Sequence, residues 1–253
     1  MTLTVGGEPL VAFLLASVRI AAWLAVVPPF AGRSVPTMAK VVLALGLAFV
    51  VAPSGDRIPV DTVGLVFNIG TQVLVGLALG FVTHLLLAAI AAAGSLVDVF
   101  GGFALAQGFD PLAMNQNTVF GKFHQLLATV LLFVTGAHLL IVGGLLRTFH
   151  FLPLGTTPDW SSAPDVMVKA FGMFFVTAVQ IALPMIAVLF VADLGLALLT
   201  KVAPQLNAIN VMFPAKIGLT LLLLGLSFPV LPQALTRLAG LATEAMAALS
   251  GAG

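Results

Sequence analysis

The chain has 253 residues, 60% of them hydrophobic and only 8% charged, with a formal net charge of +1 and no cysteine. A soluble domain is about 45–50% apolar and about 25% charged, so a water-soluble core of this length is implausible. The balanced charge gives no electrostatic case for nucleic acid, and the lack of cysteine removes disulfides, thiolate catalysis and cysteine-ligated metals.

The N-terminus, MTLTVGGEPL, lacks a basic stretch and carries Glu8, so a cleavable signal peptide is not expected. A membrane-spanning helix needs about 20 mostly apolar residues. Pro9–Phe30 qualifies, with Arg19 about ten residues in and Pro28-Pro29 closing it. Val41–Ala52 continues apolar from Met38 and stops at Pro53-Ser54-Gly55, short for a full crossing. Val63–Val97 is the opposite case. Its 35 residues reach about 52 Å as a helix, well beyond a hydrocarbon core of about 30 Å. It must be a tilted long helix, a broken helix or a hairpin, with Gly94-Ser95 and Gly101-Gly102 as break points.

Gly101–Gly121 is a polar, nearly uncharged loop, and Phe123–Leu146 reads as a clean span. Arg147–Lys169 is a connector with three prolines. Val166–Leu199 is again too long for one straight crossing and holds Pro184, which should kink it. Leu198–Gly218 is a polar island between apolar runs. Ile217–Leu231 is apolar up to Pro232, and the tail from Gln233 reads as an amphipathic helix with Leu235, Leu238, Leu241 and Met246 near helical spacing. With six alternating spans, one side carries Arg33, Lys40, Lys122, Lys201 and Lys216 and the other Arg57, Arg147, Lys169 and Arg237, so the positive-inside rule sets no orientation.

The polar residues within apolar stretches are the candidates for function. Arg19 costs roughly 2.5–3.5 kcal/mol at mid-bilayer on insertion scales. It either forms an interhelical or intersubunit ion pair, with Asp98 or Asp193, or snorkels to an interface. Gln72, Gly76 and Gly80 share one helix face, where GLALG is a small-xxx-small pattern that permits close backbone approach or is incidental in a glycine-rich chain. His84, His138 and His150 are scattered and read as structural rather than metal-binding. Asp98 and Asp193 raise an intramembrane aspartyl protease, which needs two carboxylates sharing a proton. The tyrosine-aspartate and Gly-x-Gly-Asp contexts of that class are missing. A secondary transporter with a midplane site is the alternative that Pro184 and Arg19 permit, but no inverted repeat is visible. In Gly101–Gly121, aromatics, Met114 and the amides Asn115, Gln116 and Asn117 would suit a deformable constriction, against the ordinary reading of an exposed connector.

Several segments in order resemble the FliR family, the R-type subunit of the flagellar type III export gate, whose injectisome counterpart is the SctT family. They are RIAAWLAVVPPFAGRSVPTMAKVVLAL (Arg19–Leu45), VLVGLALGF (Val73–Phe81), AGSLVDVFGGFALAQGFDP (Ala93–Pro111), GAHLLIVGGLLRTFHFLPLG (Gly136–Gly155) and LLTKVAPQLNAINVMFPAKIG (Leu198–Gly218). The family often has glutamate where this chain has Gln72. Arg147-Thr148-Phe149 replaces a more usual serine-phenylalanine setting. The resemblance implies an all-α polytopic membrane protein of kinked helical hairpins, similar to a P-type subunit fused to a Q-type subunit. The P-like part would be about 10–122 and the C-terminal part, with a Q-like hairpin, about 123–253. It implies a non-enzymatic, pore-forming subunit in the bacterial cytoplasmic membrane at the flagellar basal body, with no cofactor. Its partners would be FliP-type and FliQ-type gate subunits, FlhB-type and FlhA-type export components, membrane lipid and unfolded export substrates, with no nucleic acid. The family's plug corresponds to about Phe109–Gly121, with Phe109, Met114, Asn115, Gln116 and Asn117 as the constriction. Arg19, Gln72, Gly76, Gly80, Asp98, Asp193, Lys201, Gln205, Asn207 and Lys216 are then candidates for subunit packing or ion pairs, and the island becomes a turn shaped by Pro204 and Pro214.

Overall fold

The structure, a computed structural model, describes residues 7–32, 35–51, 62–103, 118–203 and 208–252. Among these there is no strand. The helices are α1 (Gly7–Val26), α2 (Thr37–Val51), α3 (Thr62–Phe100), α4 (Val119–Val134), α5 (Ala137–Phe151), α6 (Ala163–Val202), α7 (Ala208–Ser227) and α8 (Leu231–Leu249). The protein is an all-α polytopic membrane protein. Three helices are long and apolar enough to cross a membrane, or up to five if α4–α5 and α7–α8 each count as one interrupted span.

The over-long stretches are continuous helices. α3 runs unbroken for 39 residues through Gly94-Ser95 and stops just before Gly101-Gly102, where Gly102 takes a positive φ of 84°. α6 runs for 40 residues and carries Pro184 inside without ending. Three expectations are corrected. Phe123–Leu146 is not a clean, continuous span, because the helix stops at Val134 and restarts at Ala137, bent by 76°. Gly136 between them has φ 74°, a conformation glycine adopts without the steric cost a side chain would bring. Pro232 opens α8 rather than closing the preceding run, since proline at the first turn loses no helical hydrogen bond. Pro214 lies inside α7 rather than in a turn; Pro204, Gln205 and Asn207 fall outside the described residues.

The chain divides into two compact units. The first comprises Met1–Leu86, Gly136–Phe171 and Leu238–Gly253; the second Leu87–Thr135 and Gly172–Arg237. In the first unit α1 is central. Leu15, Ala16, Ile20, Trp23 and Leu24 are buried at helical spacing, α2 packs along α1, and α3 meets α1 at Gly76 and Gly80. Its last part of α8 buries Leu238, Ala239, Ala242 and Met246, and Gly144 of α5 admits Thr243 and Met246. In the second unit α6 buries one stripe, Ala178, Ile181, Ala182, Met185 and Leu189, and leaves Phe175, Val179, Leu183, Phe190 and Val191 exposed. A helix apolar on all sides but buried along one stripe suits lipid or protein neighbours rather than water.

Candidate functional site: two buried polar clusters

The first unit holds a buried cation. Arg19 sits mid-way along α1 and is fully buried, so it does not snorkel. Nε donates to Oε1 of Gln72 on α3 at 2.6 Å, and Nη1 donates to the carbonyl of Leu152 at 3.0 Å. Leu152 is the C-cap of α5, so the guanidinium lies at the negative end of a helix whose last carbonyls lack intrahelical partners. The Phe149 ring lies 4.2 Å from Cζ and adds a cation–π contact, worth up to about 2 kcal/mol when desolvated.

The polar contact depends on how closely α1 and α3 approach. A Cβ at Gly76 would run into the Arg19 carbonyl oxygen and stand 2.8 Å from Ala22 Cβ. One turn on, a Cβ at Gly80 would stand 3.2 Å from the Trp23 carbonyl. The glycine face of GLALG therefore admits α1 of the same chain. Three nitrogens here have no hydrogen-bond partner: Arg19 Nη2, Gln72 Nε2 and Trp23 Nε1. All three are donors.

The second unit holds a buried carboxylate near the end of α3. Asp98 is fully buried, and its Oδ2 accepts from the backbone N–H of Phe120 at 2.8 Å and of Gly121 at 3.0 Å. Those amides open α4, so Asp98 acts as an N-cap reached from another helix, stabilised by the helix dipole. Around it Ser95 Oγ and Thr118 Oγ1 are 2.8 Å apart, and Gly94 leaves room for the Phe120 carbonyl. Phe103 and Phe120 meet edge to face at 4.8 Å. His124, also fully buried, donates from Nδ1 to the Phe120 carbonyl at 2.9 Å. Here the atoms without partners are Asp98 Oδ1 and His124 Nε2. Both are acceptors while the carboxyl is ionised and the imidazole neutral.

Also in the second unit, Lys216 of α7 pairs with Asp193 of α6 at 2.8 Å, with side chains 18% and 36% exposed. Thr220, a turn beyond Lys216, sits against Gly101. Thus the partners found differ from those considered for Arg19. Asp98 caps α4, Asp193 pairs with Lys216, and Arg19 takes a neutral amide and a helix end. The two aspartates do not share a proton; each has its own partners. Lys201 is exposed on the last turn of α6. His84 donates to the Val26 carbonyl at 3.0 Å, His150 is exposed, and no group of metal-ligating residues assembles among the described residues. Phe109, Met114, Asn115, Gln116, Asn117, Gln205 and Asn207 lie outside the described residues. In the α5–α6 connector, the Ser161 amide donates to Asp159 and holds its carboxyl below the usual range.

Sequence reasoning missed His124, Phe149 and Leu152. His124 carried a signal: it stands one turn after Phe120 on an α4 face with Gly121 and Leu132, all buried.

The family model for bacterial export proteins, family 1, matches residues 10–241. The chain belongs to that family. It is 32% identical over 180 residues to the flagellar biosynthetic protein FliR of Escherichia coli (strain K12), covering 70% of this chain and 69% of that protein. Against FliR of Pectobacterium carotovorum subsp. carotovorum it is 32% identical over 217 residues, 85% and 83% of the two chains. The Yop proteins translocation protein T of Yersinia pestis is 27% identical over 145 residues, 55% and 54% of the two. Both clusters fall within the matched span.

Proposed function

We propose that this chain is a non-enzymatic, pore-forming subunit of a type III protein export gate in the bacterial cytoplasmic membrane. It serves flagellar assembly rather than an injectisome and passes unfolded flagellar proteins. The observation that carries this reading is the extent of the family match, residues 10–241, joined to 32% identity with flagellar relatives over 70–85% of the chain. The flagellar choice rests on the higher identity and coverage to FliR than to the translocation protein T. FliP-type and FliQ-type subunits, with FlhB-type and FlhA-type components, are the partners this reading assigns. The broad exposed apolar faces of α6 would be covered by such neighbours and by lipid.

In this reading the segment around Phe109–Gly121 plugs the closed pore, with Phe109, Met114, Asn115, Gln116 and Asn117 at the constriction. Support comes from its flanks. Ser95, Asp98 and Phe103 on one side meet Thr118, Phe120 and Gly121 on the other, so the base of the loop is held. Shortening Leu112–Thr118 should make an assembled gate leak ions, measured as membrane conductance. Unchanged conductance in a correctly assembled complex would remove the plug assignment. Purification of the chain with P-type and Q-type subunits supports the gate, and a stable homo-oligomer that transports a small substrate alone would overturn it.

A further inference from the structure

One face of α3 forms a wall of an open groove near its N-terminal end. Phe67, Gly70, Thr71 and Leu74 recur there at helical spacing, with Phe67 64% and Leu74 62% exposed. The connector between α5 and α6 supplies the other wall through Thr157, Pro158 and Trp160, and the groove between them has a volume of about 440 Å³. Both walls belong to the first unit. The connector is held in place around Trp160. The Ser161 amide donates to Asp159 across it at 2.9 Å, and its own carbonyl accepts from the Ala163 amide at 3.1 Å, where α6 begins.

The walls are apolar apart from two hydroxyls, and that of Thr71 already donates to the Phe67 carbonyl at 3.0 Å. An ordered water needs about two to four polar partners, so this groove is poorly built for water. A water takes about 30 Å³ in the liquid, so there is room for roughly fifteen groups of that size, more than one protein side chain carries and close to one fatty acyl chain. The position agrees. The α3 helix is one of those long and apolar enough to cross a membrane, and Phe67–Leu74 fall within the first ~17 Å of its apolar run from Val63, about half a hydrocarbon thickness. Trp160, partly exposed, is the residue type that collects where hydrocarbon meets head groups.

We propose that this groove binds one acyl chain of a membrane phospholipid, the tail lying along Phe67, Gly70 and Leu74 and the head-group end beside Trp160. The groove is continuous with the apolar surface that a membrane-spanning helix already presents to lipid. The site stands on the residues of one unit and does not depend on the export reading.

The test is fluorescence of the full-length chain in detergent, titrated with phosphatidylcholine brominated on its acyl chains, since bromine quenches a tryptophan that it touches. The chain has two tryptophans; Trp23 is fully buried, and a Trp160→Phe variant reads it alone for subtraction. Gly70→Leu fills the groove. Nothing lies within 4 Å of a Cβ at Gly70 and leucine is the better helix former, so this variant should melt no lower than the parent. Trp160 should be quenched in the parent, and the lipid concentration for half the quenching should rise about tenfold or more in Gly70→Leu, the change that about 1.4 kcal/mol of lost binding gives. Native mass spectrometry should find one phospholipid retained by the parent and lost from Gly70→Leu. Equal quenching in the two chains means that lipid merely coats the surface and overturns the proposal, as does a parent whose Trp160 is not quenched. Protection of Trp160 from the same lipid in a complex isolated with neighbouring chains would make the groove a protein contact, and overturns it too.

Discussion

The two buried clusters are opposites. Around Arg19, every polar atom without a partner is a donor; around Asp98, every such atom is an acceptor. Both clusters hold one fully buried charge, yet they compensate it differently. Asp98 draws on two backbone N–H groups and a helix N-terminus, which together suit a carboxylate. Arg19 draws on a single carbonyl at a helix C-terminus, an amide and an aromatic face, which satisfy its shape but supply no formal charge. Backbone amides serve one oxygen of Asp98 and leave the other without a partner, whereas the Arg19 guanidinium, among the described residues, meets only neutral groups.

The contrast can be broken or sharpened by mutation, beginning with the largest effect. Asp98→Ala should cost about 2–6 kcal/mol, since two buried amides each lose about 1–3 kcal/mol of compensation. Cleavage by added protease between residues 103 and 118 should accelerate accordingly. Asp98→Asn keeps an oxygen for those amides and brings a donor into a region short of donors, so its loss should stay at or below about 1.5 kcal/mol. A cost equal to that of alanine would mean that the charge, and not the acceptor, holds α4. In the other unit Gly76→Ala should cost about 1–3 kcal/mol, because the new methyl meets backbone that cannot yield. Gly80→Ala, whose Cβ finds 3.1–3.2 Å neighbours, should cost under about 1 kcal/mol in the same melting experiment. Smallest of all, Asp193→Asn breaks a partly exposed pair and should change stability by less than about 1 kcal/mol in detergent.

Much of this was legible in the sequence, and the losses have physical causes. Composition alone placed the chain in the membrane. Arg19 stood out because a charge in an apolar run demands an explanation. Gln72 stood out as well, but not as the partner of Arg19, since it is 53 residues away and neutral, and a search for opposite charge passes over an amide. The excess length of α3 and α6 could be counted, but their continuity could not. Gly94 reads as a break in a sequence, yet here it is the clearance for the Phe120 carbonyl. The break at Gly136 was hidden for the converse reason: hydropathy runs smoothly across Thr135-Gly136, and only the backbone conformation records the stop. Asp98 was visible as an unusual residue, but its task depends on α4 returning to the end of α3, which no local pattern encodes.

The length of α3 has a consequence for the cell. A helix of 39 residues measures about 58 Å, nearly two hydrocarbon thicknesses, and is mostly apolar, with Gln72, Thr83 and Asp98 buried along it. Lipid can clothe only about half of it at once. If the chain works as an export-gate subunit, a copy synthesised without its partner subunits would therefore present to chaperones and membrane proteases the apolar part of α3 that the chain itself leaves uncovered. Its lifetime should be set by the supply of those subunits: abundance measured in cells would follow their dosage more closely than the rate at which this chain is translated.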